Sequence, residues 1–202
     1  NNSVVAIVGD IDTAQIKQWA DRYFAGIPAG EPYRPVVTQE PSQRGERRIE
    51  VEYDANPVVM IGHHIPSAMH PDSRALVMLA NLLTGGRTSR LVSRLVVRDR
   101  IATNISAGTQ PGSRYPRLFT FLGVPIAPHP TQEIESVVYE ELERLQREPP
   151  TDYEMQRMRN QVEASSIGRI EDAFFLALQM ASSEALYGDW RQSFRFDAAN
   201  LA

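Results

Sequence analysis

The sequence contains no cysteine. That absence removes disulfides, thiolate metal sites and cysteine nucleophiles together. It leaves the compartment open, since periplasmic as well as cytoplasmic chains can do without cysteine. No run of 18 apolar residues occurs, so nothing reads as a membrane-spanning helix. A basic excess is lacking too. With 21 Lys and Arg against 25 Asp and Glu, the net charge is −4, which argues against a nucleic-acid partner. There is no internal repeat and no low-complexity tract. No signal peptide is visible. The chain opens on Asn1-Asn2-Ser3 and runs straight into a strand pattern, as expected of a piece of a longer polypeptide. What is present suits one globular domain. Its 202 residues are 42% apolar and 23% charged, enough for a core and too apolar for disorder.

Periodicity supplies the elements. Val4-Val5-Ala6-Ile7-Val8 is a short apolar run ending at Gly9-Asp10 and predicts a buried strand. Asp12 or Thr13 caps a following helix whose Ile16, Trp19, Ala20, Tyr23 and Phe24 share one face. Residues 28–46, rich in Pro, Gly, Glu and Arg, read as an extended linker. Ile49, Val51 and Tyr53 alternate with Arg48, Glu50 and Glu52, which predicts a half-exposed strand. After the Asp54–Pro57 turn the chain should return as a second strand over 58–65, forming a hairpin. Helices are expected after Pro71-Asp72 and from about Thr88 to Arg98, separated by Gly85-Gly86. Strands follow at 102–109 and 118–124, the latter apolar enough to be central. A helix carrying Ile134, Val137, Val138, Leu142 and Leu145 ends at Pro149-Pro150; its glutamates read as a solvated face. Thr151 and Glu154 form a capping box opening a long helix that runs to about Tyr187, with a break expected near Ser165-Ser166 or Gly168. The last dozen residues read as a mixed tail. This order predicts an α+β domain: an antiparallel sheet with helices packed on one face.

Candidate chemistry is sparse. A helical zinc site needs two histidines one turn apart and a glutamate to activate water. None of His63, His64, His70 and His129 has a histidine at i+4. His63 and His64 are strand neighbours and should point to opposite faces. His70 and His129 sit beside prolines in expected loops. No Gly-x-Ser-x-Gly elbow is present, and nothing singles out a serine as a nucleophile. Gly85-Gly86-Arg87-Thr88-Ser89-Arg90 offers glycines, two arginines and a helix start, an anion-tolerant arrangement without the Gly-Lys-Ser/Thr of a P-loop. The competing reading of that turn is a helix end followed by a helix cap. The residues alone predict no catalytic constellation.

The stretch Asn81 to Leu91, reading NLLTGGRTSRL, is similar to a motif of the pitrilysin/insulinase-like zinc peptidases, in which a helix ends in a glycine-rich turn followed by a Ser-Arg-Leu helix start. The glycines allow the reversal, and Ser89 can cap the next helix. Other segments resemble the family in the same order. Residues 4–12 look like the strand-to-helix entry of its second domain, and Pro57–Pro66 like the strand before the Asp72 helix. The helix ending at Pro149-Pro150 with Thr151-x-x-Glu154, and the closing Gly188-Asp189, also fit.

The resemblance implies a metallopeptidase-half fold, of the kind found in LuxS and the mitochondrial processing peptidase. It also implies the non-catalytic domain, because the His-x-x-Glu-His of the zinc-bearing domain is nowhere in the chain. On that basis residues 1–202 form a single inactive domain without a cofactor of its own, and zinc is expected in the missing catalytic domain. The implied partners are that zinc-bearing domain of the same polypeptide, a second homologous subunit and a peptide or protein substrate. Residues Gly85, Gly86, Arg87 and Ser89 would form a domain-contact or anion-binding turn. Some members carry a substrate-holding Arg and Tyr seven residues apart in a later domain; those positions fall on Val96 and Thr103 here, and neither residue can serve. The function implied is that of a wall of a proteolytic chamber. The alternative is an assembly subunit related to respiratory-complex core proteins, without proteolysis. Bacterial periplasm and cytoplasm both suit.

Overall fold

The structure is a computed structural model that describes residues 3–31, 34–35, 40–192 and 194–195, apart from the side chains of 166, 167, 169 and 170. Part of the expected linker (32, 33 and 36–39) and most of the expected tail (193 and 196–202) therefore lie outside the described residues. The elements are α1 (Thr13–Phe24), β1 (Val59–Ile65), α2 (Ser73–Thr84), α3 (Arg90–Val92), β2 (Ala102–Gln110), β3 (Arg117–Pro125), α4 (Thr131–Arg147), α5 (Asp152–Glu171) and α6 (Ala173–Tyr187). Helix α3 widens directly into a π-helical segment over Ser93–Arg98. There the Asp99 N–H reaches back to Arg94 O at 2.9 Å.

The sheet is antiparallel in the order β1-β3-β2. The apolar 118–124 run is central, as its composition predicts. Register places Ile61 opposite Phe121 and Val59 opposite Gly123. On the other side Ile105 faces Gly123 and Ala107 faces Phe121. These residues share one face of the pleat. That face is buried under helices, with Phe119, Phe121 and Ile105 in one cluster with Leu83, Leu91, Leu95, Ile134 and Val138. The chain has the α+β architecture with helices on one side of the sheet. The opposite face presents exposed Met60, Gly62, His64, Asn104 and Ser106.

Gly123 sets how closely α4 approaches the sheet. A Cβ there would lie 2.8 Å from Ile134 Cγ2 and 3.2 Å from Val59 Cγ1. Both neighbours are held in the core, so neither can retreat cheaply.

Three expectations fail, two of them for a local reason. Residues 4–8 are extended but form no ladder. Residues 48–53 do not pair with β1 either, so the expected hairpin does not form, and among the described residues β1 pairs only with β3. Arg48 is held instead by Glu135 of α4 and by Glu46, which draws this segment across the helix. Tyr53 O also accepts the Ala55 N–H at 2.8 Å, a turn tighter than a two-residue hairpin loop. The long helix breaks at Asp172, not at Ser165–Gly168. Asp172 leaves helical geometry (φ −96°, ψ 117°) and its carboxylate accepts the Phe174 and Phe175 N–H groups, so it caps α6. Gly168 stays helical because a glycine costs only about 1 kcal/mol there.

Arg100 adopts φ 56°, a left-handed conformation that costs a side-chain-bearing residue about 1 kcal/mol. Two substitutions test this account by urea denaturation. Gly123→Ala should lower stability by about 1–3 kcal/mol through overpacking against Ile134. Arg100→Gly should be neutral or stabilising by up to about 1 kcal/mol.

Candidate functional site

The glycine turn between α2 and α3 is built from local constraints. Gly85 ends α2, and a Cβ on it would lie 2.4 Å from Asn81 O, so no other residue fits. Gly86 takes φ 97°, which only glycine adopts without strain. Ser89 is fully buried and stands at the N-cap position of α3, but its hydroxyl does not cap the helix. Its Oγ donates to Gly86 O at 2.6 Å, tying the turn to itself. The expected capping role is thereby corrected. Arg87 is exposed. The Arg157 guanidinium of α5 reaches into the turn and donates to Thr88 Oγ1 at 3.0 Å.

The next residue, Arg90, is the centre of the best-organised polar cluster in the described chain. Its side chain is 10% exposed and meets Glu141, 3% exposed, and Glu154, 19% exposed. The pair with Glu154 is bidentate, Nε to Oε1 at 2.6 Å and Nη2 to Oε2 at 2.9 Å. Nη1 donates to Glu141 Oε1 at 3.3 Å. Glu154 also closes the capping box of α5, accepting the Thr151 N–H at 2.9 Å. One guanidinium thus joins α3, α4 and α5. Glu141 corrects the reading of the α4 glutamates as uniformly solvated: this one faces inward to meet a cation from another helix. Sequence spacing could not show it, because the partner lies 51 residues away.

Hydrogen bonds from Arg90 hold the Glu154 carboxyl down at about 2, from an ordinary 4.5, with burial opposing and the Thr151 N–H adding to the effect. The arrangement is a closed ion-pair clasp with its acids paired, not a general acid–base pair awaiting substrate.

Other candidate residues are dispersed. His63 packs edge-on to Phe121 and Tyr139 on the helix side of the sheet, whereas His64 pairs with Glu40 at 3.2 Å. The two rings lie on opposite faces as the pleat requires. His70 sits 3.5 Å from Asp72 and His129 2.8 Å from Glu133. Among the described residues no three His, Asp or Glu side chains converge as metal ligands. The donor set therefore does not fit a zinc ion. Val96 is half-buried against the core, and Thr103 is exposed with its hydroxyl donating to Val124 O at 3.2 Å. No cation and no phenol stand at these two positions.

A cleft of about 570 Å³ runs beside β1, between its outer edge at Val58–Gly62 and the Arg48–Tyr53 segment, with Gln132, Glu135 and Tyr139 of α4 as its floor.

The family model described as the peptidase M16 inactive domain matches residues 1–162. The chain belongs to this family. The zinc protease PqqE of Helicobacter pylori is 28% identical over 177 residues, 85% of this chain and 39% of that protein. The crystal structure of a protease from Helicobacter pylori superimposes with a TM-score of 0.86 at 22% identity, over 96% of this chain and 47% of that one. The ferredoxin protease FusC, solved in complex with Arabidopsis ferredoxin, gives a TM-score of 0.67 at 18% identity, over 96% of this chain and 23% of that one. At such identities the structural likeness is one of fold. The chain spans about two fifths of the curated relative it matches. In this chain the glycine turn delivers Arg90 to its two carboxylates.

Removing the guanidinium leaves Glu141, 3% exposed, with only the longer ion pair to Arg144 at 3.8 Å. Arg90→Met should cost about 3–5 kcal/mol, and adding Glu141→Gln should restore part of that loss in a double-mutant cycle. Glu154 stabilises the fold fully above pH 4.5, where the unfolded carboxyl is ionised, and that contribution fades as pH falls towards about 2. Denaturation curves of Glu154→Gln should therefore lie below wild type at pH 7 and converge on it between pH 4.5 and 2.

Proposed function

We propose that this chain is the non-catalytic half of a zinc metalloendopeptidase, packed on a zinc-bearing half of the same polypeptide and forming part of the wall of its substrate chamber. Residues 1–202 act as one inactive domain with 28–46 as a linker within it. The observation that carries the reading is the bare side of the sheet. One face holds the helices; the other presents Met60, 69% exposed, with Gly62, His64, Asn104 and Ser106 also open to solvent. An antiparallel sheet can leave one face to water, and a face that exposes a large apolar residue such as Met60 is suited to line an interface or a cavity. The outer edge of β1, bordered by the cleft, offers backbone groups to an extended peptide. With Val96 and Thr103 in place of an Arg–Tyr clamp, substrate is held here by shape and backbone pairing. The hydrolytic chemistry belongs to zinc in the other half. The names of the relatives, a zinc protease and a ferredoxin protease solved in complex with ferredoxin, support a protein or peptide as the material cleaved.

The test is reconstitution with the zinc-bearing half, comparing wild type with Ser106→Trp. The bulky residue on the open face should leave the isolated domain within about 0.5 kcal/mol of wild-type stability. It should leave zinc content unchanged and raise KM for a protein substrate about tenfold, roughly 1.4 kcal/mol. Equal kinetics for the two would remove the chamber-wall role. A reconstituted wild-type pair without chelator-sensitive cleavage would establish the assembly-subunit reading instead.

A further inference from the structure

The N-terminal extended run and helix α1 make little contact with the body of the domain among the described residues. Helix α1 buries none of its residues and packs substantially on no other helix or strand. Its apolar face is open: Trp19 is 47% exposed, Tyr23 64% and Phe24 61%. The preceding run is open as well, with Val5 73% and Ile7 50% exposed. A five-residue run that is apolar on both faces is the signature of a strand inside a sheet, between two neighbours. An amphipathic helix with an aromatic stripe is the signature of a helix on a core. Neither finds its partner in the described chain.

We infer that residues 4–24 form a strand–helix unit that adds to the sheet and core of the zinc-bearing half, so that the boundary between the halves in space lies near residue 28. This rests on the reading of the chain as one half of a metalloendopeptidase. Three observations choose that occupant. The chain covers 47% of the Helicobacter pylori protease that it overlays closely, so in that protein a body of comparable size lies outside the matched part. Residues 4–8 pair with neither edge of the domain's own sheet, and the β2 edge is met by α2, whose Thr84 Oγ1 accepts the Ala107 N–H. The 28–46 segment is long enough, at up to about 60 Å, to separate the unit from its own domain. Val4–Val8 then gains ladder bonds on the partner sheet, and Trp19, Tyr23 and Phe24 cover that strand.

Two variants test the inference in the full 202-residue chain mixed with the separately produced zinc-bearing half. Val5→Pro removes a ladder donor at an exposed site, and Trp19→Ala removes the largest open side chain. Both should leave the thermal midpoint of the isolated chain unchanged. Both should weaken association with the zinc-bearing half at least about 30-fold, the scale of losing one aromatic anchor. Amide exchange at residues 4–8 should slow only in the complex. If both variants bind like wild type, the inference is overturned while the pairing of the halves stands. If wild type itself does not bind, the half-enzyme reading fails and takes the inference with it. If wild type alone forms a dimer that Val5→Pro dissociates, the occupant is a second copy, and the assignment to the zinc-bearing half is wrong.

Discussion

The Arg90 guanidinium, closed between Glu141 and Glu154, is the interaction from which much of the rest follows. Two acids and a base removed from water are costly to bury, and the arrangement is tolerable only because every charge is met and Glu154 is further bonded by the capping box. Its value lies in placement. α3, α4 and α5 come from separate stretches of the chain, and a bidentate contact admits a narrow range of relative orientations. The glycine turn serves this contact. Gly85 and Gly86 turn the chain so that Arg90 enters the gap between the acids, and buried Ser89 locks the turn.

That clasp also sets the division of labour across the domain. Helices fixed by it cover one face of the sheet, and residues on the other, such as Met60 and Ser106, stay open to solvent. Arg90, Glu141 and Glu154 are bound up in one structural cluster, and His63 and His64 lie on opposite faces of the sheet. Among the described residues no three His, Asp or Glu side chains gather as a metal site would require.

Much of the architecture was readable from periodicity and punctuation. β2, β3, α2, α4 and the capping box of α5 all lie within a residue or two of where the pattern of apolar residues and caps puts them, because each is decided by burial and bonding within its own stretch. The failures concern pairing. Alternation at 48–53 announces a strand, but alternation does not choose a partner, and Arg48 found one on α4. The apolar run at 4–8 announces a buried strand without saying in which sheet. The helix break went to Asp172, where a carboxylate can cap a new helix, instead of to Gly168, whose flexibility alone makes no bond. The polar cluster was hidden for the same reason: Glu141 looks like any surface glutamate until α3 is placed beside it.

The absence of a side chain at residue 123 has a consequence for how such a sequence can drift. Ile134, Val59 and Ile105, from three different elements, all converge on the space a Cβ would take. Any larger residue there requires at least one of them to shrink first, and shrinking any one opens a void against the other two. The position therefore behaves as a joint steric constraint in which the tolerated change at one site depends on the history of three others. Relatives that have moved α4 outward by even one methyl layer would be expected to differ at all four places together.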